Sequence, residues 1–267
     1  MDEFRAGIRA QTQAQSLIPQ APPLRAMGRD QRAAAGQRVT TESLVEAAAI
    51  PNVDAYQVRG IDISHYEGDI DWSKVKTDGL SFVYIKATEG GDGLDDKFAA
   101  NWKGAEGAGL ARGAYHFYNF CKDGAVQAAN FMKTVPVEAG ALPMTIDLEE
   151  SADCKTMPAK AAFRKDLADF VAKVQAAYGH QPILYVNYSI YDAYFNGEND
   201  TYRLWIADVK HEAPTMPGNA PWAMWQYGWH GAVAGITGEV DLDVFNGTPA
   251  MLASLEGPNG IMVASAR

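Results

Sequence analysis

From residue 58 onward, short apolar segments alternate with amphipathic ones, and this alternation constrains the fold more than any other feature of the sequence. Residues 80–87 read Leu-Ser-Phe-Val-Tyr-Ile-Lys-Ala, a nearly unbroken apolar run that is typical of a strand buried on both faces. Residues 158–178 form a long amphipathic pattern with a proline at its start, which predicts a helix. Apolar strands that alternate with helices predict a parallel sheet.

Eight strands follow from this pattern, and eight strands of this kind predict closure into a barrel. We expect helices between the first five strands and mostly loops between the later ones. The predicted strands are residues 58–63, 80–87, 112–118, 142–148, 182–187, 203–207, 222–227 and 239–245. The predicted helices are residues 71–75, 97–108, 124–135 and 158–178.

The first 57 residues differ in composition from the rest of the chain. Gln, Ala, Arg and Pro dominate there, and no periodic apolar pattern lasts long enough to build a core. We therefore interpret residues 1–57 as a flexible N-terminal extension, with one short helix near residues 41–49. Residues 58–250 then form the barrel, and residues 251–267 form a weakly patterned C-terminal tail.

Composition excludes several classes of function. The net charge is -10, which disfavours nucleic-acid binding because no basic surplus can neutralise phosphates. No apolar run approaches the length of a membrane span, and the start of the chain lacks the basic and apolar regions of a secretory signal. The five histidines show no metal-ligand spacing. We expect a monomer without a cofactor.

Residues 142–150 read Leu-Pro-Met-Thr-Ile-Asp-Leu-Glu-Glu and place two carboxylates, Asp147 and Glu149, at the end of a buried strand. Residues two apart on a strand share a face, so these acids lie side by side. Neighbouring carboxylates do not both ionise at low cost, which favours a proton on one of them near neutral pH. Acid-assisted cleavage of a glycosidic bond requires such a pair. The alternative is a strand edge with two solvated acids.

Two further acids, Asp62 and Asp241, fall at or close to the C-terminal ends of their predicted strands. Barrel enzymes carry their chemistry at these strand ends, so we expect both acids to join Asp147 and Glu149. Asp243 follows Asp241 by two residues on the same strand. It either shares the acidic cluster or is a structural acid.

Eight short motifs follow one another between residues 60 and 245, and together they resemble the family 25 glycoside hydrolases, the CH-type lysozymes. Each motif is weak alone, but eight in this order are specific. The motifs are Gly60-Ile-Asp-Ile-Ser64 with Gly68-Asp-Ile-Asp-Trp72, Lys86-Ala-Thr-Glu-Gly90, Gly113-Ala-Tyr-His-Phe117, Asp147-Leu-Glu149, Leu184-Tyr-Val-Asn187, Leu204-Trp-Ile-Ala207, Trp225-Gln-Tyr227 and Val240-Asp-Leu-Asp243.

The resemblance implies an α/β fold, a TIM-like (β/α)5β3 barrel, that hydrolyses the β-1,4 bond between N-acetylmuramic acid and N-acetylglucosamine in bacterial peptidoglycan. It implies that Glu149 is the proton donor and that Asp62, Asp147 and Asp241 are the other active-site acids. A wall substrate implies action outside the cytoplasm, in the periplasm, cell wall or extracellular space. A non-catalytic peptidoglycan-binding barrel is the alternative function.

The attack on the anomeric carbon has two open routes. One uses a carboxylate nucleophile, which would be Asp147 or Asp62. The other uses the substrate's own 2-acetamido group, oriented by Asp147, because substrate assistance of this kind exists in other glycosidase families. The sequence does not choose between them.

Several residues on the predicted strands are candidates for sugar binding. Aromatic faces pack against sugar C–H surfaces, and carboxamides hydrogen-bond hydroxyl or acetamido groups. The alternative for each aromatic residue is the barrel core. We expect His116 to pack behind the barrel wall, because it alternates with two of these residues. The candidates are Tyr115, Phe117, Tyr185, Asn187, Trp205, Trp225 and Gln226.

The two cysteines, Cys121 and Cys154, follow the third and fourth predicted strands. Neighbouring strands of a barrel bring such loops together, so a disulfide is geometrically plausible and fits an oxidising compartment. Two unpaired thiols are the alternative, because a Cα separation cannot be read from sequence.

Overall fold

A closed barrel of eight strands organises the part of the chain that this computed structural model describes, residues 51–196 and 202–255. A ninth, two-residue strand pairs with the edge of one barrel strand. The strands are β1 (Val58–Ile63), β2 (Phe82–Glu89), β3 (Gly93–Leu94), β4 (Ala111–Phe117), β5 (Thr145–Leu148), β6 (Ile183–Val186), β7 (Arg203–Ala207), β8 (Met224–Gly231) and β9 (Val240–Phe245). The helices are α1 (Trp72–Val75), α2 (Phe98–Ala108), α3 (Gly124–Thr134), α4 (Lys160–Tyr178), α5 (Tyr188–Tyr194) and α6 (Pro249–Ala253).

The barrel closes through β1, which pairs with β2 on one side and with β9 on the other. The strands from β1 round to β8, leaving aside the short β3, are parallel to their neighbours, whereas β9 is antiparallel to both β8 and β1. The α/β barrel predicted from the sequence is therefore confirmed. The sequence pattern predicts a parallel sheet, and β9 is the barrel strand that departs from it.

The reversed direction of β9 also corrects the position of Asp241. This residue is the second of its strand, so the prediction that it lies near a C-terminal strand end is wrong. Because β9 runs opposite to its neighbours, its beginning lies at the mouth where the parallel strands end. Asp241 pairs directly with Asp62 near the end of β1, so the two acids still meet at one mouth.

Strand residues alternate between two cores, as a period of two requires. On β2, Val83 and Ile85 pack against the surrounding helices, whereas Phe82 and Tyr84 fill the inside of the barrel. Burial on both faces explains why the strands are apolar almost throughout. The ring of Tyr84 occupies the space where a Cβ at Gly113 would lie, so a side chain at that glycine would displace the barrel filling.

The predicted helices and those of the structure do not match everywhere. The short helix predicted near residues 41–49, with most of the extension and of the tail, lies outside the described residues. Helix α5 was not predicted, because seven residues are too few to show a helical period. Asn187 caps its N-terminus, since the side-chain oxygen of Asn187 accepts a hydrogen bond from the backbone N–H of Ile190 at 2.9 Å. No helix in the described ranges is long and apolar enough to cross a bilayer.

A disulfide joins Cys121, four residues after β4, to Cys154, six residues after β5. The two Cα atoms are 5.4 Å apart. Both half-cystines follow C-terminal strand ends, so the bond ties together two connections at the same mouth as the acids. The pairing expected from the sequence is thus present in the structure.

Candidate active site

Four carboxylates surround one buried phenol at the mouth of the barrel. Tyr185 on β6 is aligned with Asp147 on β5, and Glu149 follows directly after that strand. Burial raises the pKa of the Tyr185 hydroxyl, and the negative charges of the four acids raise it further, in the order Glu149, Asp147, Asp62 and Asp241. The charges of all four acids predicted from the sequence therefore act on one group, the hydroxyl of Tyr185. The structure brings together residues separated by 179 positions in the chain, from 62 to 241.

Gln226 on β8 links this phenol to the acids by hydrogen bonds. Its Nε2 donates to Asp62 Oδ2 at 2.8 Å, and its Oε1 accepts from the Tyr185 hydroxyl at 2.8 Å. The same hydroxyl lies 3.3 Å from Glu149 Oε1, so its one proton is directed mainly at Gln226. The neighbours fix the orientation of the carboxamide, because its oxygen faces donors and its nitrogen faces a carboxylate. Predicted as a sugar contact, Gln226 is buried and organises the acids.

Asp243 lies inside the barrel and is fully buried. Its Oδ1 accepts a hydrogen bond from the indole Nε1 of Trp205 at 2.9 Å. Burial raises the pKa of this carboxyl well above its usual range, and the charges of Asp62 and Asp241 raise it further. Of the two roles left open by the sequence, Asp243 is in electrostatic contact with the acidic cluster.

The predicted aromatic residues divide by the face they occupy. Tyr115, Phe117 and Tyr185 point into the barrel near the acids and are largely buried. Trp205 is also inside the barrel, packed against Tyr185 at a ring-centroid distance of 5.3 Å, and it therefore supports the site rather than facing a ligand. The prediction that Trp225 lines the groove is wrong. Its ring is fully buried, and its Nε1 donates to the backbone carbonyl of Asp208 at 2.6 Å, because it alternates with the inward-facing Gln226.

Two residues near the mouth were missed by the sequence reasoning. Trp229 on β8 is 39% exposed, and its Nε1 donates to Gln226 Oε1 at 2.9 Å, so an anchored indole borders the acids. It was missed because the predicted strand ended at residue 227.

Lys86 on β2 is buried, with Nζ 2.9 Å from Glu89 Oε2 and 4.8 Å from the centre of the Phe117 ring. A lysine inside an otherwise apolar strand was the signal that could have revealed it.

His116 lies behind the barrel wall, as predicted. It is fully buried between β4 and the helices α3 and α4, with Nδ1 2.7 Å from Thr88 Oγ1 and Nε2 3.2 Å from Gln127 Oε1. Burial is the largest cause that lowers the pKa of His116, to about 4. The residue is therefore a neutral structural histidine and not an acid or base of the site.

The arrangement provides carboxylates for proton transfer and for stabilising positive charge, held by neutral hydrogen-bond donors. In the described part of the chain, no group of three or more His, Cys, Asp or Glu side chains is arranged to hold a metal ion. Close carboxylates disfavour the ionisation of one another, so the protonated form of at least one of them is favoured. Such a mouth is suited to the acid-catalysed cleavage of a bond to an oxygen leaving group.

Comparison with known proteins agrees with this chemistry. Residues 61–236 match the family model described as glycosyl hydrolases family 25. The chain is 37% identical to Lysozyme M1 of Streptomyces globisporus over 213 residues, which cover 76% of this chain and 72% of the relative.

Solved structures give the same result. The bacterial lysozyme from Streptomyces coelicolor matches with a TM-score of 0.70 and 36% identity, over 76% of this chain and 98% of that one. A family 25 glycosyl hydrolase from Bacillus anthracis matches with a TM-score of 0.73 and 31% identity, over 80% of this chain and 99% of that one.

Proposed function

Because the chain belongs to glycosyl hydrolase family 25, we propose that it cleaves the β-1,4 bond between N-acetylmuramic acid and N-acetylglucosamine in peptidoglycan, with Glu149 as the proton donor. The chain is a glycoside hydrolase of the muramidase type. The observation that carries the assignment of Glu149 is its position beside Tyr185, at the point where four carboxylates converge. Glu149 is the partly exposed member of the Asp147–Glu149 pair, so a glycosidic oxygen can reach it.

In this proposal the acids have different roles. Glu149 protonates the leaving oxygen, and the surrounding negative charges favour its protonated form before the reaction. Asp62 accepts a hydrogen bond from Gln226, which favours its ionised form. Together with Asp147 and Asp241, the ionised Asp62 stabilises the positive charge that develops on the sugar ring in the transition state.

Trp229 adds a binding surface to this scheme. Its indole N–H is held by Gln226, so the ring plane has one preferred orientation at the edge of the mouth. A fixed aromatic face can pack against the C–H surface of a pyranose ring. We place a sugar unit adjacent to the scissile bond on this indole.

The assignment of Glu149 is tested with the variant Glu149→Gln, which keeps the size of the side chain and removes the proton. Turnover of peptidoglycan should fall by about 10²- to 10⁴-fold, the range for loss of a general acid. Binding to insoluble cell wall should remain. The matched control is Glu150→Gln, which alters the neighbouring exposed acid and should retain wild-type turnover.

The outcome also separates catalysis from binding alone. Turnover by Glu149→Gln within about threefold of wild type would remove Glu149 from the mechanism. Wall binding by the wild-type protein without any release of soluble fragments would instead favour a non-catalytic peptidoglycan-binding barrel.

Action outside the cytoplasm fits both the substrate and the disulfide. Peptidoglycan lies beyond the cytoplasmic membrane, and structural disulfides persist in oxidising compartments. The bond between Cys121 and Cys154 supports such a location. Fractionation of producing cells should recover the protein in the periplasmic, wall or extracellular fraction, with no free thiols. Recovery in the cytoplasm with two free thiols would contradict the proposed location.

A further inference from the structure

The surroundings of the Asp243 carboxyl do little to stabilise its ionised form. The side chain is fully buried inside the barrel. One oxygen, Oδ1, accepts a hydrogen bond from Trp205, whereas no donor among the described residues reaches the other oxygen, Oδ2. A buried carboxylate is stabilised only by opposite charge or by several hydrogen bonds, and a single indole N–H is a weak substitute.

The titratable groups that act on Asp243 include two negative charges and no positive one. The groups of the described chain that act on it are Asp62 on β1, Tyr84 on β2, Tyr227 on β8 and Asp241 on its own strand. Burial is the largest cause that raises the pKa of Asp243, and the charges of Asp62 and Asp241 follow. Every member of this set is either an acid or a phenol.

Asp62 lies on the same face of the neighbouring strand β1, two residues along from Gly60, which pairs with Asp243. Its charge and its hydrogen-bonding capacity both raise the pKa of Asp243. Two carboxyl groups in contact form a hydrogen bond only when one of them carries a proton. Asp62 already accepts from Gln226 Nε2, and it is less buried than Asp243, so Asp62 is the better anion. Asp243 is the group that keeps the proton.

We propose that Asp243 is a positioning residue that stays protonated and donates its carboxyl hydrogen to Asp62, which fixes Asp62 as an ionised carboxylate beneath the sugar. Asp62 then accepts from two directions, from Asp243 and from Gln226. The hydrogen-bonded chain continues through Gln226 and Tyr185 to Glu149, so the buried acid is linked to the proton donor. The link to catalysis rests on the proposed function, whereas the protonation of Asp243 does not.

Two variants separate a neutral donor from an ionised acid. Asp243→Asn supplies a permanent N–H donor for Asp62 and an oxygen for Trp205, so kcat should stay within about threefold of wild type. Asp243→Leu has a similar size but no donor, and kcat should fall about 10- to 100-fold because a hydrogen bond to a charged group is lost. Binding to insoluble peptidoglycan should change little in either variant.

A second measurement does not depend on activity. Carboxyl ¹³C chemical shifts of aspartate-labelled protein, followed against pH, report the ionisation of each acid, and Asp243→Asn assigns the resonance of Asp243. We expect the Asp243 signal of the wild-type protein to keep the shift of a protonated carboxyl at neutral pH. In Asp62→Asn the neighbouring charge is removed, and Asp243 should then ionise at lower pH. An unchanged ionisation of Asp243 in Asp62→Asn would contradict the proposed contact between the two carboxyls.

The proposal fails if Asp243 has the shift of an ionised carboxylate at neutral pH, whatever the kinetics show. It also fails if Asp243→Asn is as impaired as Asp243→Leu, or if Asp243→Leu is folded and fully active. If Asp243→Leu does not fold, the Asn variant and the chemical shifts still decide the question. Absence of muramidase activity in the wild-type protein would overturn the proposed function and leave the chemical-shift test of Asp243 intact.

Discussion

The buried His116 makes the stability of this barrel sensitive to acid. Gln127 Oε1 also accepts from the backbone N–H of Asn119 at 2.8 Å, so it is an acceptor toward His116 as well. His116 Nε2 therefore carries the hydrogen, and Nδ1 accepts from the Thr88 hydroxyl. Protonation would place a charge in a fully buried site between the strand layer and the helices.

The size and sign of the effect follow from the shift. Burial lowers the pKa of His116 from 6.5 to about 4, and the hydrogen bond to Gln127 opposes this only in part. Between these two pH values the unfolded chain binds a proton that the folded protein does not. The free energy of unfolding therefore has its full value above pH 6.5 with respect to His116, and it decreases as the pH falls toward 4. A difference of one pKa unit corresponds to about 1.36 kcal/mol, so the loss of unfolding free energy between these pH values is about 3 kcal/mol.

Urea unfolding followed by circular dichroism at a series of pH values between 7 and 4 measures this effect. His116→Asn should lower stability at neutral pH, because packing and hydrogen bonds change, but it should lose about 3 kcal/mol less than wild type on acidification. His230→Asn is the control: it removes an exposed histidine and shows how the loss of a surface imidazole changes the acid dependence of stability. Equal acid dependence in wild type and His116→Asn would refute the reasoning.

Three further predictions concern the mouth of the barrel. Reduction of the disulfide, or Cys121→Ser with Cys154→Ser, should lower the unfolding free energy by about 3–4 kcal/mol, because the bond closes a loop with a sequence separation of 33. Gln226→Leu should lower kcat about 10- to 100-fold with little change in wall binding, because Asp62 and Tyr185 lose their shared partner. Trp229→Ala should weaken binding of soluble muropeptide oligomers about tenfold, measured by calorimetry, through loss of an aromatic face.

Each of these predictions has its own control. Trp229→Phe keeps an aromatic face and should retain most of the binding, and equal losses in Phe and Ala would contradict a stacking role. Gln226→Glu keeps the size of the side chain but replaces the amide donor, and full activity in that variant would remove the bond to Asp62 from the mechanism. A melting temperature unchanged by reductant would exclude a stabilising role for the disulfide.

The fold was largely predictable because burial on both strand faces leaves a strong trace in sequence. Runs such as residues 80–87 identify strands, and regular helices between them identify a barrel. The direction of β9 leaves no such trace, because a strand's apolar pattern reads alike in either direction. The structure was therefore needed to show that the start of this strand, which carries Asp241, lies at the mouth beside Asp62.

The acids of the site were predictable, but the network that supports them was not. Asp147 and Glu149 stand out because they end an apolar strand. Trp225 and Gln226 are adjacent on one strand and so face opposite sides, but which of the two faces inward could not be assigned from sequence alone. The protonation of Asp243 depends on burial and on contacts between strands, which no local pattern records.

The most direct test of the central claim is the chemistry of the new reducing ends. Purified peptidoglycan is digested with the wild-type protein and with Glu149→Gln, and the soluble products are reduced with borohydride and identified by mass spectrometry. We predict that the wild-type digest contains reduced N-acetylmuramic acid at the new ends and that the variant digest contains almost none. Reduced N-acetylglucosamine at the new ends, or cleavage confined to the peptide stems, would contradict the assigned reaction.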